Sequence, residues 1–174
     1  MSLNLRLLAI TAGVLVGISF IFFTVSNAVP IWSKVNIEDT ESTIGLWKRC
    51  RSTDGHKECH DIECSSSNDM NNDCGKRLAA RAFVTLACIF SGISTICLLV
   101  CAVTGDNTSK TMLLAAKGLV IVCLVMGVIG IGIGIDVHHR NLPIQNLKLG
   151  AAAIIGIVAI ILNFFAAITA GFMK

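Results

Sequence analysis

Charge is scarce in this chain. Lys, Arg, Asp and Glu together make up 14% of its 174 residues, whereas a soluble domain averages about 25%. There is also no basic patch interleaved with aromatic residues, which argues against nucleic-acid binding. Hydrophobic residues instead reach 54%. One small core cannot hide that much apolar surface, so lipid must be the solvent for a large part of it.

Four long apolar runs hold most of these hydrophobic residues, at 7–29, 78–103, 112–135 and 149–172. Each exceeds the roughly 20 residues that a helix needs to cross about 30 Å of hydrocarbon. A membrane β-barrel would show alternating segments of about 10 residues instead. The sequence therefore predicts an all-α membrane protein with four transmembrane helices. The first run could also be a signal peptide, but it is longer than an h-region of about 7–15 residues, and we expect it to be retained.

Few polar groups interrupt the spans. Lys117 and Arg81 each lie one turn inside a span and can reach the nearer surface. Asn163 lies deeper, and we expect it to bond a neighbouring helix. No acidic residue lies mid-membrane, so a proton or ion relay has no carrier in this chain.

Small residues recur at a spacing that lets helices approach closely in lipid. Gly13 and Gly17 form one GxxxG motif, and Gly130 and Gly134 form another. The spacing predicts helix packing at these four glycines, either within one four-helix bundle or between copies of the chain.

The first loop, residues 30–77, is the only polar region large enough to fold. It contains Cys50, Cys59, Cys64 and Cys74. Four clustered cysteines predict two disulfides in an oxidising compartment. The alternative is a metal site built around Cys59 and Cys64 with nearby histidines, although the spacing is not a recognised zinc pattern.

Two signals bear on orientation, and they disagree. The disulfides place the first loop outside the cell and both termini in the cytosol. The first loop, however, carries seven Lys and Arg residues, and by the positive-inside rule this favours a cytosolic first loop. The indication is weak, because the rule works best for short loops. We expect the orientation that the cysteines favour, at the plasma membrane. Glycans on Asn107, in the second loop, would invert it.

A set of first-loop residues and a segment of the second span carry a family resemblance: Trp32, Gly45-Leu46-Trp47, Cys50 and Cys59, then Leu-Ala-Ala-Arg-Ala-Phe at 78–83. The pattern resembles the claudin superfamily. That group comprises the claudins, the peripheral myelin and epithelial membrane proteins, lens fibre membrane protein and the calcium-channel gamma subunits. The resemblance covers the whole chain, so one claudin-like domain is expected over residues 1–174.

The resemblance implies a left-handed four-helix bundle with a small extracellular antiparallel sheet from the first loop. It implies a Cys50–Cys59 disulfide, with Leu46 and Trp47 anchoring the sheet above Arg81. Cys64 and Cys74 fall outside the family signature, and we predict that they form a second bridge. The chain also departs from the family. Its third loop is short, its first loop has no glycosylation sequon, and its last residues lack the Tyr-Val-type ending that binds junctional scaffolds.

Two functions follow from the resemblance. The first is a role in cell–cell contact or a paracellular barrier, in which the sheet pairs with copies of itself in the same membrane and on the next cell. The second is an auxiliary, gamma-type subunit of an ion channel or receptor. We do not expect an enzyme or a cofactor. His138 and His139 beside Asp136 are the one tempting catalytic cluster, and an interfacial position explains them better.

Overall fold

The computed structural model describes residues 2–37, 40–53, 56–62, 73–104, 109–140 and 148–173, and the side chains at 2–4, 35–37, 40, 73, 138–140 and 148 lie outside that description. The helices are α1 (Ser2–Ala28), α2 (Asp73–Thr104), α3 (Lys110–Arg140) and α4 (Ala151–Gly171). The strands are β1 (Ser33–Ile37), β2 (Thr40–Ile44), β3 (Lys48–Thr53), β4 (His56–Asp61) and β5 (Lys148–Leu149). The predicted fold, a helix bundle with a small antiparallel sheet, is confirmed.

All four helices are long and apolar enough to cross a membrane. Their spanning segments are Leu5–Ala28, Cys74–Thr104, Lys110–Val137 and Ala151–Gly171. Only a helix can satisfy its own backbone groups inside a segment of this kind. The chain is a multi-pass membrane protein.

The helix ends differ from the predicted boundaries. α2 begins at Asp73 rather than at residue 78, and α3 continues to Arg140 rather than ending at residue 135. Leu149, which the sequence assigns to the fourth span, lies in β5, and α4 begins at Ala151. Hydropathy marks only the part of a helix that lies in hydrocarbon. Polar turns can continue a helix where water is available, so apolar runs underestimate its length.

Small residues make up most of the buried face of α4, and large apolar side chains of this helix face outward. The helices pack in the ring order α1, α2, α3, α4. The buried positions of α4 are Ala152, Ala153, Gly156, Ala159, Asn163, Ala166 and Ala170. The exposed positions of α4 include Ile154, Ile161, Phe164 and Phe165. Backbones that approach over small residues pack well in lipid, where exposed apolar side chains cost nothing.

The four glycines of the GxxxG motifs lie at contacts within this chain. Gly13, Gly17 and Gly130 lie against α2, and Gly134 lies against the segment that follows α1. A Cβ added at Gly130 would come 2.9 Å from Val84, closer than side chains normally approach. The bundle itself therefore uses these glycines, and they do not face outward toward another copy.

The sheet lies at one end of the bundle, which we call the sheet end. Its strands have the order β4-β3-β2-β1-β5, and all the pairs are antiparallel. β1 to β4 come from the first loop. β5 comes from the third loop and pairs Leu149 with Ser33. This fifth strand is a finding of the structure, since a two-residue strand leaves no periodicity in the sequence.

Candidate functional site: the sheet and its anchors on the bundle

Trp32 joins three parts of the sheet end. Its side chain is 1% exposed, and its ring nitrogen donates to the carbonyl of Ser26 at the end of α1, at 2.8 Å. Its backbone N–H donates to Ile44 of β2, and its carbonyl accepts from Gly150, just before α4. A Cβ added at Gly134 would lie 2.5 Å from the Trp32 ring. The side chain and backbone of Trp32 together therefore fix where the sheet begins relative to α1, α3 and α4.

The turn between β2 and β3 lies directly on the bundle. A Cβ added at Gly45 would collide with the backbone of Pro30, so glycine is required for this close approach. Leu46 is 1% exposed and belongs to the core at this end. Trp47 is 44% exposed, and its ring nitrogen donates to the side-chain oxygen of Asn27 at 2.9 Å. One apolar residue thus enters the core while its neighbour lies at the surface, which suits an amphipathic indole at a membrane interface.

Arg81 of α2 holds this turn from below. Its Nε donates to the Leu46 carbonyl at 2.7 Å, and its Nη2 donates to the Ile62 carbonyl at 3.1 Å. Its guanidinium carbon lies 4.9 Å from the centre of the Trp47 ring. The planar fork of an arginine can serve two acceptors and stack on an aromatic face at once. The three residues that the resemblance groups together do meet in the structure.

Asn27 is a member of this site that sequence reasoning missed. It accepts from Trp47, as described above, and its amide nitrogen donates to the hydroxyl of Thr85 in α2 at 3.2 Å. It therefore links α1, α2 and the sheet turn. The sequence does show a polar amide at the end of an apolar run, which could have marked Asn27 as a candidate. Its hydrogen-bond partners could not be identified, because they lie far away in sequence.

Cys50 and Cys59 are directly opposite each other on β3 and β4 and form a disulfide. The Cys59 sulfur is therefore not available as a metal ligand, and no group of three or more possible ligands lies among the described residues. Cys74 is also disulfide-bonded, while Cys64, its predicted partner, lies outside the described residues. The free cysteines among the described residues lie in the spanning helices: Cys88, Cys97, Cys101 and Cys123.

The hairpin of β3 and β4 forms the edge of the sheet opposite β5. All six residues of β4 are exposed, and β4 is an edge strand. Arg49 and Arg51 share one face of β3, because side chains alternate along a strand. Lys48 lies on the other face, 3.7 Å from Asp61. Within the described ranges no strand pairs with the outer side of β4, so the hairpin presents an open edge and one face with a basic pair.

The deeper polar residues of the bundle serve its own helices. Asn163 donates its amide to the Cys123 sulfur at 2.8 Å, which links α4 to α3 as we expected. Lys117 donates to the carbonyl of Met173, beyond the end of α4. Asp136 pairs with Lys76, whereas the side chains of His138 and His139 lie outside the described part of the chain.

A family comparison agrees with this architecture. The sequence pattern of the PMP-22/EMP/MP20/Claudin family matches residues 3–170. The chain belongs to this family. The claudin-superfamily resemblance carried by the tryptophans, the Gly45 turn and the paired cysteines is thereby confirmed. No individual curated protein matches the chain. PMP-22/EMP/MP20/Claudin proteins are in general structural or membrane-associated rather than enzymatic.

Proposed function

We propose that this PMP-22/EMP/MP20/Claudin family member acts at cell–cell contacts, where its sheet joins neighbouring copies into a barrier. The proposal places the sheet outside the cell, the termini in the cytosol and the protein in the plasma membrane. The observation that carries it is the exposed edge strand β4 on a sheet that is fixed to the bundle. An open strand edge is a template for pairing with another chain.

The backbone geometry indicates which groups face that edge. The Cα atoms of Cys50 and Cys59 are 4.0 Å apart, which is typical of an opposed pair that does not exchange hydrogen bonds. In an antiparallel pair of strands, opposed residues that exchange hydrogen bonds alternate with opposed residues that do not. The N–H of Ile62 donates to the carbonyl of Trp47, so the Trp47–Ile62 pair is hydrogen-bonded and the Cys50–Cys59 pair, three residues along, is not. The backbone groups of Cys59, and of Lys57 two residues before it, therefore point toward the free edge.

Charge on the hairpin bears on what a barrier would pass. Arg49 and Arg51 are exposed on one face, and Glu58 lies opposite Arg51. The charged neighbour of Lys48 is Asp61, on the other face. If the arginine face lined a route between cells, its excess of positive charge would favour anions.

The test is to express the full-length chain in non-adherent cells and to image the places where cells meet. We expect strands or plaques for the wild type and for Lys57→Thr, which keeps the edge N–H. We expect them to be lost in Lys57→Pro, which removes that N–H without breaking the pairing of β4 with β3. Mass mapping of the Cys50–Cys59 disulfide checks that each variant is folded.

The auxiliary-subunit role predicts a different result. The protein would then be spread evenly over the membrane and would co-purify with a channel or receptor in mild detergent. The GxxxG glycines that this role could use for docking are taken up within the bundle, at Gly13, Gly17, Gly130 and Gly134. We therefore favour the contact role. An even distribution of the wild type would overturn it.

A further inference from the structure

A groove of about 530 Å³ opens between α2 and α3 near the sheet end. Its lining includes Gly75, Lys76 and Ala79 from α2, and Gly132 and Asp136 from α3. α2 enters its spanning segment at Cys74, and α3 leaves its own at Val137. The groove therefore runs from the membrane surface into the apolar layer.

No residue in the described part of the chain fills this groove. A Cβ added at Gly75 or at Gly132 would meet nothing within 4 Å, whereas one at Gly130 or at Gly134 would collide with neighbouring residues of the bundle. A depression on the lipid-facing surface of a membrane protein is filled by whatever the bilayer supplies, because empty space forfeits dispersion contacts. The geometry of the lower groove suits an acyl chain.

The upper rim carries one charge of each sign. The Nζ of Lys76 lies 2.8 Å from an oxygen of Asp136, and the two side chains are 33% and 43% exposed. Both charges can therefore be reached from the headgroup layer. Phosphatidylcholine also carries one charge of each sign, a phosphate and a quaternary ammonium, and the two pairs are complementary.

We infer that this groove binds a zwitterionic phospholipid from the leaflet at the sheet end. The lipid phosphate lies against Lys76, the ammonium lies against Asp136, and an acyl chain passes over Gly132 and Ala79. The inference rests on the four spans and this cavity, and it is independent of the role proposed at cell contacts.

Photoactivatable phosphatidylcholine in vesicles containing the full-length protein tests the acyl-chain part. We expect cross-links to concentrate on peptides around Gly75 and Gly132. Gly132→Leu should reduce them to the level of other lipid-facing positions, because the leucine occupies the groove. Gly118→Leu is the matched control, since Gly118 is exposed on the same helix and also has open space around its Cβ. Leucine favours helix over glycine, so both variants should fold.

The headgroup part is tested by competition between phosphatidylcholine and phosphatidylglycerol probes. Asp136→Asn removes the partner of the ammonium and should shift the preference toward phosphatidylglycerol by about fivefold, the effect of one partly exposed ion contact. Lys76→Gln should weaken labelling by both probes. An unchanged preference in Asp136→Asn overturns the headgroup assignment.

Two results overturn the inference as a whole. One is uniform labelling along α2 and α3 in the wild type, which means that no lipid is held in the groove. The other is lipid labelling around Gly75 and Gly132 that is unchanged in Gly132→Leu, which means that the labelled lipid does not lie in the groove.

Discussion

Arg81 connects the sheet to the bundle, and replacing it by leucine should loosen the sheet without melting the helices. The residue donates to two sheet-end carbonyls, at 2.7 Å and 3.1 Å, and stacks on Trp47. A hydrogen bond from a charged donor contributes about 1.5–3 kcal/mol. A cation–π contact at an exposed site adds about 0.5–1 kcal/mol. Arg81 is only partly buried, so the lower ends of these ranges apply to its two hydrogen bonds and one ring contact, and the expected cost is about 3.5 kcal/mol.

Hydrogen exchange measures this loss directly. Amides of β2 and β3 exchange through local opening of the sheet, so their rates follow the free energy of that opening. A loss of about 3.5 kcal/mol corresponds to exchange roughly 400-fold faster. Amides in the middle of the four helices should be unchanged. Arg81→Lys should show a smaller effect than Arg81→Leu, because an ammonium can still donate to a carbonyl. Some loss should remain, because it cannot serve both carbonyls and the ring in one plane.

Arg51→Leu is the matched control, since Arg51 is exposed on β3 and lies away from the bundle. Its sheet amides should exchange at the wild-type rate. The reasoning is refuted if Arg81→Leu leaves the β2 and β3 amides as protected as in the wild type. It is also refuted if protection falls equally in the helices, which would mean that Arg81 stabilises the whole bundle rather than the contact between the sheet and the bundle.

Two further predictions concern the Cys50–Cys59 disulfide and the glycine contacts of α3. Replacing Cys50 and Cys59 together by serine should destabilise the hairpin by about 2.5–3 kcal/mol, because the disulfide no longer restricts the unfolded chain between the two residues. Proteolysis between β3 and β4 should then be faster, and unchanged cleavage would count against the prediction. Gly134→Ala should lower the free energy of unfolding by about 1–3 kcal/mol, because its methyl group meets the buried ring of Trp32. Gly132→Ala, where the space is open, should be neutral or stabilising. Equal effects of the two alanines on thermal unfolding in detergent would contradict this.

Several features of this protein follow from the sequence alone. The four spans depend only on the length and apolarity of local runs, so they can be found without knowledge of any contact. The residues that seat the sheet were also identifiable, because Trp32, Leu46, Trp47 and Arg81 stand in a recognisable pattern. The predicted spans do not coincide with the helix ends, because hydropathy reports where lipid is, not where the helical backbone stops.

Contacts between distant segments decided the rest. Gly130, Gly132 and Gly134 look alike in the sequence, yet two of them pack against the bundle and the middle one borders an open groove. Their rotation about the α3 axis is set by which helices flank it, and spacing alone cannot give that. Asn27 and the short strand β5 gained their roles in the same way, from partners that folding brings to them. Local chemistry therefore determined which segments enter the membrane, and packing between those segments determined which faces remained available for binding.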